Sequence, residues 1–205
     1  MLKRTKSYLL LTFLVLTGFA GRIENECLSG KERNVLVSEL KQGKKALLNS
    51  IKDLNETQLQ FKTSEGAWSI KETVYHLSIT ENNLWKWAES AVKPNTEQEM
   101  AGNTIPDQVF MNLARERMHK LETNEALLPV NSGFKNMDDA VEAFRSGRTN
   151  LVKFVKTTTE NIRKCGVETH LGKIDAYQLL VLISEHTNQH IAEIEAIKNN
   201  PNFPK

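Results

Sequence analysis

The chain carries histidines at positions 76, 119, 170, 186 and 190, and imidazole is the side chain best suited to ligate a transition metal or move a proton near neutral pH. His186 and His190 fall in a stretch whose apolar residues Ala176, Leu179, Ile183, Ile194 and Ile197 recur at helical period. Both rings therefore lie on the face directed to the core, one above the other with a rise of about 6 Å, the spacing at which an H-x-x-x-H pair shares one metal. The same placement suits two hydrogen-bonded core histidines. The segment His186-Thr187-Asn188-Gln189-His190 lacks the glutamate of H-E-x-x-H, so a zincin-type protease with its built-in base is not supported. His76, in a separate helical segment, is the candidate third ligand. Glu72, one turn before His76, and also Glu81 and Glu185, are candidates to orient an imidazole from behind, against the plainer reading of Glu72 as a capping residue. Trp68, Trp85 and Trp87 could frame a pocket mouth but read as core or edge packing.

Four helical segments must position these groups. Leu36, Leu40, Leu47, Ile51 and Leu54 mark the first, over about residues 31–54. Ser69 and Glu72 form an S-x-x-E capping box that opens a second, Ile70 to about Val92, before Pro94. Residues 93–136, with Pro94, Pro106, Pro129, Gly102 and Gly133, read as a long connection carrying a minor helix around 109–121. Asn136 and Asp139 start a third helix, expected to reach about Lys164 before Gly166. Asp175 with Gln178 starts the fourth, from Ala176 to about Lys198. The fold class is all-α, a four-helix bundle.

Histidine depth selects the topology. His76 lies six residues into the second helix, and His186 and His190 roughly eight to twelve residues from the end of the fourth, so their depths agree only if these two helices are antiparallel. The long 93–136 connection allows this, because it can cross from one end of the bundle to the other and make the second and third helices parallel. In that arrangement His170 lies near the opposite end, as a loop-stabilising residue, and His119, among Arg115, Arg117 and Lys120, is a solvated surface group. The start of the first helix and the end of the third then share one end, which makes a Cys27–Cys165 disulfide geometrically feasible.

The 205 residues are 40% hydrophobic and 25% charged, enough for one core and too apolar for a disordered chain. A formal charge of +2 with no basic cluster beyond the N-terminus excludes a nucleic-acid binder. Lys3, Arg4 and Lys6 precede the apolar run from Tyr8 to Gly21, with Gly18 and Ala20 as the small residues of a cleavage site. Residues 1–20 thus read as a cleaved secretory signal, residues 21–30 as a tail and residues 31–205 as the domain. The run is too short to span a bilayer, and Glu24-Asn25-Glu26 before Cys27 is not a lipobox. The mature domain is expected outside the cytosol, periplasmic or extracellular, with no membrane attachment and a formal charge of −1.

Phe61-Lys62-Thr63-Ser64-Glu65-Gly66-Ala67-Trp68-Ser69-Ile70, Tyr75-His76-Leu77, His170-Leu171-Gly172-Lys173-Ile174-Asp175-Ala176-Tyr177-Gln178 and Glu185-His186-Thr187-Asn188-Gln189-His190 together resemble the DinB-like superfamily over residues 31–205. The resemblance implies a divalent metal on His76, His186 and His190. Three neutral imidazoles and an open position suit Zn²⁺ or Ni²⁺, and such a site can activate water or a thiol toward a small-molecule substrate. Some members of the superfamily are thiol-dependent S-transferases. Their thiols are chiefly cytosolic, so an export signal makes thiol transfer the weakest part of what the resemblance implies, with metal-assisted hydrolysis as the other expectation. The second reading is a non-catalytic helical binding module whose metal is structural or absent. A homodimer through exposed helix faces is compatible with either.

Overall fold

The computed structural model describes residues 28–93, 105–118, 124–169 and 172–205, with the side chains of 117 and 118 excluded. The expected signal peptide, Cys27, His119 and His170 lie outside the described residues. Among the described residues there are six helices: α1 (Gly30–Ser50), α2 (Glu56–Gln60), α3 (Ile70–Val92), α4 (Asp107–Met118), α5 (Met137–Thr157) and α6 (Ala176–Lys198). Two 3-10 turns, Glu125–Leu127 and Pro129–Asn131, lie between α4 and α5, and a hairpin of β1 (Gly166–Thr169) and β2 (Gly172–Asp175) precedes α6.

The expected capping boxes open α3 and α6: Ser69 accepts from the Glu72 amide and Asp175 from the Gln178 amide, with both boxes closed reciprocally. Asn136 caps α5 through the Asp139 amide. Two helix ends differ from expectation. The first helix stops at Ser50 rather than Leu54, because Asp53 takes a left-handed backbone (φ 61°), which no right-handed helix can contain, and Asn55 then caps the short α2. The third stops at Thr157 rather than near Lys164. Thr158 is extended and its hydroxyl accepts from the Glu160 amide, a local bond that competes with the helix. Arg33 covers the terminal carbonyls of Val155 and Thr158. The residues beyond, read as the helix end and a loop, form instead the antiparallel hairpin, with Gly166 opposite Asp175 and Val167 opposite Ile174. Val167 and Ile174 are both buried, on the core side of the pleat.

Helix directions follow from the contacts. Along α3 and α5, Ser78 meets Ala140, Glu81 meets Arg148 and Trp85 meets Phe154, so the two run parallel. Gly147 permits their close approach, since a Cβ there would lie 2.8 Å from Oδ1 of Asn82. Lys44 reaches Thr149 and Arg33 reaches Thr158, so α1 opposes α5. Ile70 and Val74 of α3 pack with Ile194 and Ile197 of α6, and Ala88 and Val92 with Leu179 and Ile183, so α3 and α6 are antiparallel. This is the bundle with a crossover between parallel helices that the histidine depths demanded. No helix among the described residues is long and apolar enough to cross a membrane.

The core is divided. Leu36, Leu40, Leu151, Leu179 and Ile183 belong to one apolar cluster, and Leu47, Ile70, Leu77, Phe144 and Ile194 to another. Between them lies a layer of buried polar groups: His76, Thr80, Glu81, Arg148, Thr187 and His190. Buried polar groups persist only with partners, and the partners in this layer define the site.

Candidate metal centre

His76 comes from α3 and His186 and His190 from α6. Their ligand atoms lie within 4.8 Å of one another, and His76 and His190 are buried. The Nε2 atom of His186 is 3.2 Å from Nε2 of His76 and 3.2 Å from Nε2 of His190. Two nitrogens held at about 2.05 Å from a tetrahedral zinc ion would stand roughly 3.3 Å apart. The apposition fits that geometry.

The opposite ring edges decide the tautomers. Nδ1 of His76 donates to the carbonyl of Leu127 at 2.8 Å, and Nδ1 of His190 donates to Oε2 of Glu193 at 2.7 Å. Both acceptors lack a proton, so in each neutral ring the proton sits on Nδ1 and the Nε2 lone pair faces the other two rings. His186 has one Nε2 proton at most, and it cannot serve both neighbours. A cation resolves this arrangement of lone pairs.

Burial pushes His76 down to about 4, against the Leu127 hydrogen bond that favours its charged form. Burial also holds His186 well below the ordinary imidazole value, helped by the two neighbouring rings. Both are neutral at pH 7, the form a metal ligand requires. The sign for stability is definite. The unfolded chain takes up a proton at His76 near pH 6.5 and the folded chain only near 4, so the metal-free fold weakens as pH falls through that window. His76 alone is worth about 2 kcal/mol between pH 7 and 5. Urea titrations of chelator-treated protein at the two pH values measure it, and equal midpoints would mean that the rings charge freely in the folded state.

Glu72, a candidate to orient His76, does other work: its carboxylate accepts from the Ser69 amide and pairs with Lys62 at 2.8 Å. It is the capping residue. Glu81 is bound to Arg148 and Glu185 to Arg115. The carboxylate behind a site imidazole is Glu193, three residues after His190, a relation that an H-x-x-E search would have found. The Leu127 carbonyl had no such signal, since it arrives from the crossover. Trp68 is half-buried over the site, its ring centroid 4.8 Å from that of His76 and 6.4 Å, stacked, from His190. Trp85 packs on Phe154 and Trp87 is exposed. Cys165 is half-buried, its thiol donating to the Asn161 carbonyl at 3.4 Å, and burial raises its pKa. Its expected pairing with Cys27 lies outside the described residues.

Comparison with known proteins bears out the family resemblance. No curated protein matches the chain. Among solved structures, YfiT from Bacillus subtilis, described as a probable metal-dependent hydrolase with an unusual four-helix bundle topology, aligns with a TM-score of 0.59 and 16% identity, over 84% of this chain and 89% of that one. The model of the DinB superfamily matches residues 39–194, a span that contains all three site histidines, and the chain belongs to that superfamily.

Proposed function

We propose that this chain is an exported metal-dependent enzyme in which His76, His186 and His190 hold a divalent cation and a small molecule is hydrolysed. One observation carries the reading: three Nε2 atoms converge, while the Nδ1 protons of His76 and His190 are tied to acceptors behind them. Neutral imidazoles favour Zn²⁺ or Ni²⁺ over Mg²⁺ or Ca²⁺. When bound, such an ion supplies Lewis acidity and lowers the pKa of water toward neutrality. The protein's own part is placement. The Leu127 carbonyl and Glu193 fix two ring planes, and Trp68 excludes bulk water from one side. Hydrolysis is preferred to thiol transfer because the signal-like residues 1–20 would carry the chain away from cytosolic thiols, and because YfiT, whose fold is similar, is described as a probable metal-dependent hydrolase.

Elemental mass spectrometry of the untagged mature domain tests the site. Near-stoichiometric zinc or nickel is expected in the wild type and none in a folded His186→Ala/His190→Ala variant. A wild type that stays metal-free after reconstitution and dialysis would leave the histidines as core residues of a binding module. Glu193→Ala should weaken metal binding about 10- to 100-fold in a chelator competition, since the His190 ring loses its acceptor. An unchanged affinity would show that Glu193 does not orient the ligand.

A further inference from the structure

We infer that α6 serves a second site on the side away from the histidines, a cavity that binds a compact apolar amine. The inference is independent of the metal reading. His186 and His190 face α3, whereas Ser184, Glu185 and Asn188 line a cavity of about 350 Å³ closed by α1 and α4. That volume falls at the lower end of small-molecule sites. Leu36, Phe110, Met111 and Val181 give it apolar walls.

Two polar features point to an occupant. Ser184 is only 3% exposed, and its hydroxyl has no hydrogen-bond partner among the described residues. Other buried hydroxyls on the long helices, those of Thr73, Ser78 and Thr187, donate to the carbonyl four residues earlier at 2.9, 2.8 and 3.0 Å. Ser184 does not, although an unmade buried bond is costly, so its hydrogen-bonding capacity is left to whatever fills the cavity. The second feature is charge. Arg115 is held by both oxygens of Glu185 at 3.0 and 2.9 Å, and Asp107 is held by Arg163. Glu39, exposed at the rim, acts on Arg115 through its charge alone, without a hydrogen bond, so the single guanidinium of the lining is shared between two carboxylates and the cavity keeps an excess of negative charge. An apolar body with an ammonium group for Glu39 and one hydrogen-bonding atom for Ser184 completes it, whereas a carboxylate would meet Glu39 and Glu185 of its own sign.

Tyramine is a suitable probe, with phenethylamine to remove its hydroxyl and 3-(4-hydroxyphenyl)propionate to reverse its charge. Each is titrated into the full mature domain with chelator present, by calorimetry and by amide chemical shifts. Tyramine should bind at least tenfold more tightly than the carboxylate, with shifts confined to α1, α4 and the Tyr177–Asn188 face of α6. Glu39→Gln should abolish the preference for the amine, and Ser184→Ala should weaken tyramine while leaving phenethylamine unchanged. Both variants are small enough to keep the fold, which a thermal melt verifies. Equal binding of amine and carboxylate, shifts centred on the histidines, or no binding at millimolar tyramine would each overturn the inference.

Discussion

Arg148→Met should lower the unfolding free energy at pH 7 by about 3–5 kcal/mol, the loss typical of breaking one side of a buried ion pair. The guanidinium is fully buried in the middle of the bundle. Its Nε and Nη2 donate to the two oxygens of Glu81, each at 2.6 Å, and Nη2 also donates to Thr187 Oγ1 at 2.6 Å. Nη1 reaches the Leu40 carbonyl at 3.4 Å. One side chain of α5 thereby ties α1, α3 and α6, and Thr187 is the residue next to His186. Methionine fills much of the volume but leaves the Glu81 carboxylate in an apolar core, where it must take up a proton or remain unpaired. Burial already pushes Glu81 upward, so in the variant its folded pKa lies above the unfolded value, and the deficit should shrink as pH falls toward 5. Arg148→Met/Glu81→Leu should recover most of the loss, since an apolar pair leaves nothing unpaired. Urea denaturation of the three proteins measures this, and a loss under about 1 kcal/mol in the single variant would show that water reaches the pair.

Saturating metal should stabilise the fold by about 4 kcal/mol when the free ion is at a thousand times its dissociation constant. For a domain of this size that corresponds to a rise in Tm on the order of 10 °C. The reason is that no such site exists in the unfolded chain: His76 is more than one hundred residues from His186, and only the folded bundle brings their Nε2 atoms together. A chelator should reverse the shift. His186→Ala removes the ring common to both 3.2 Å contacts and should melt at the same temperature with or without metal. A metal-induced rise that survives His186→Ala would place the ion elsewhere, and no rise in the wild type would remove the metal from the proposed function.

Much of the site was legible because the relevant signals are local. Period-3.6 spacing places His186 and His190 on the core face of one helix, and capping boxes at Ser69 and Asp175 set where the two ligand-bearing helices begin. With the start points set, ring depth along each axis is arithmetic, and the antiparallel pairing of α3 and α6 follows. The hairpin was not legible in this way, because four-residue strands carry too few alternations to stand out from a polar loop, and its two buried apolar residues, Val167 and Ile174, meet only through the register of the paired strands.

Spacing within single segments was enough for the four long helices, the caps of the two ligand-bearing ones and the pairing of His186 with His190 on one face, while His76 came from ring depth along two helices and the family from a resemblance of motifs. Which polar groups meet across the bundle was settled by packing alone. Arg148 lies in the polar segment Ser-Gly-Arg-Thr, yet it is the largest fully buried side chain of the described residues, because Glu81 and Thr187 arrive from two other helices. Glu72 went to its helix cap, Glu193 to His190, and the Leu127 carbonyl to His76. The first two are local relations, whereas Arg148 with Glu81 and Thr187, and the Leu127 carbonyl with His76, depend on which element faces which across the bundle, and a partner supplied by another element leaves no periodicity of its own in the chain.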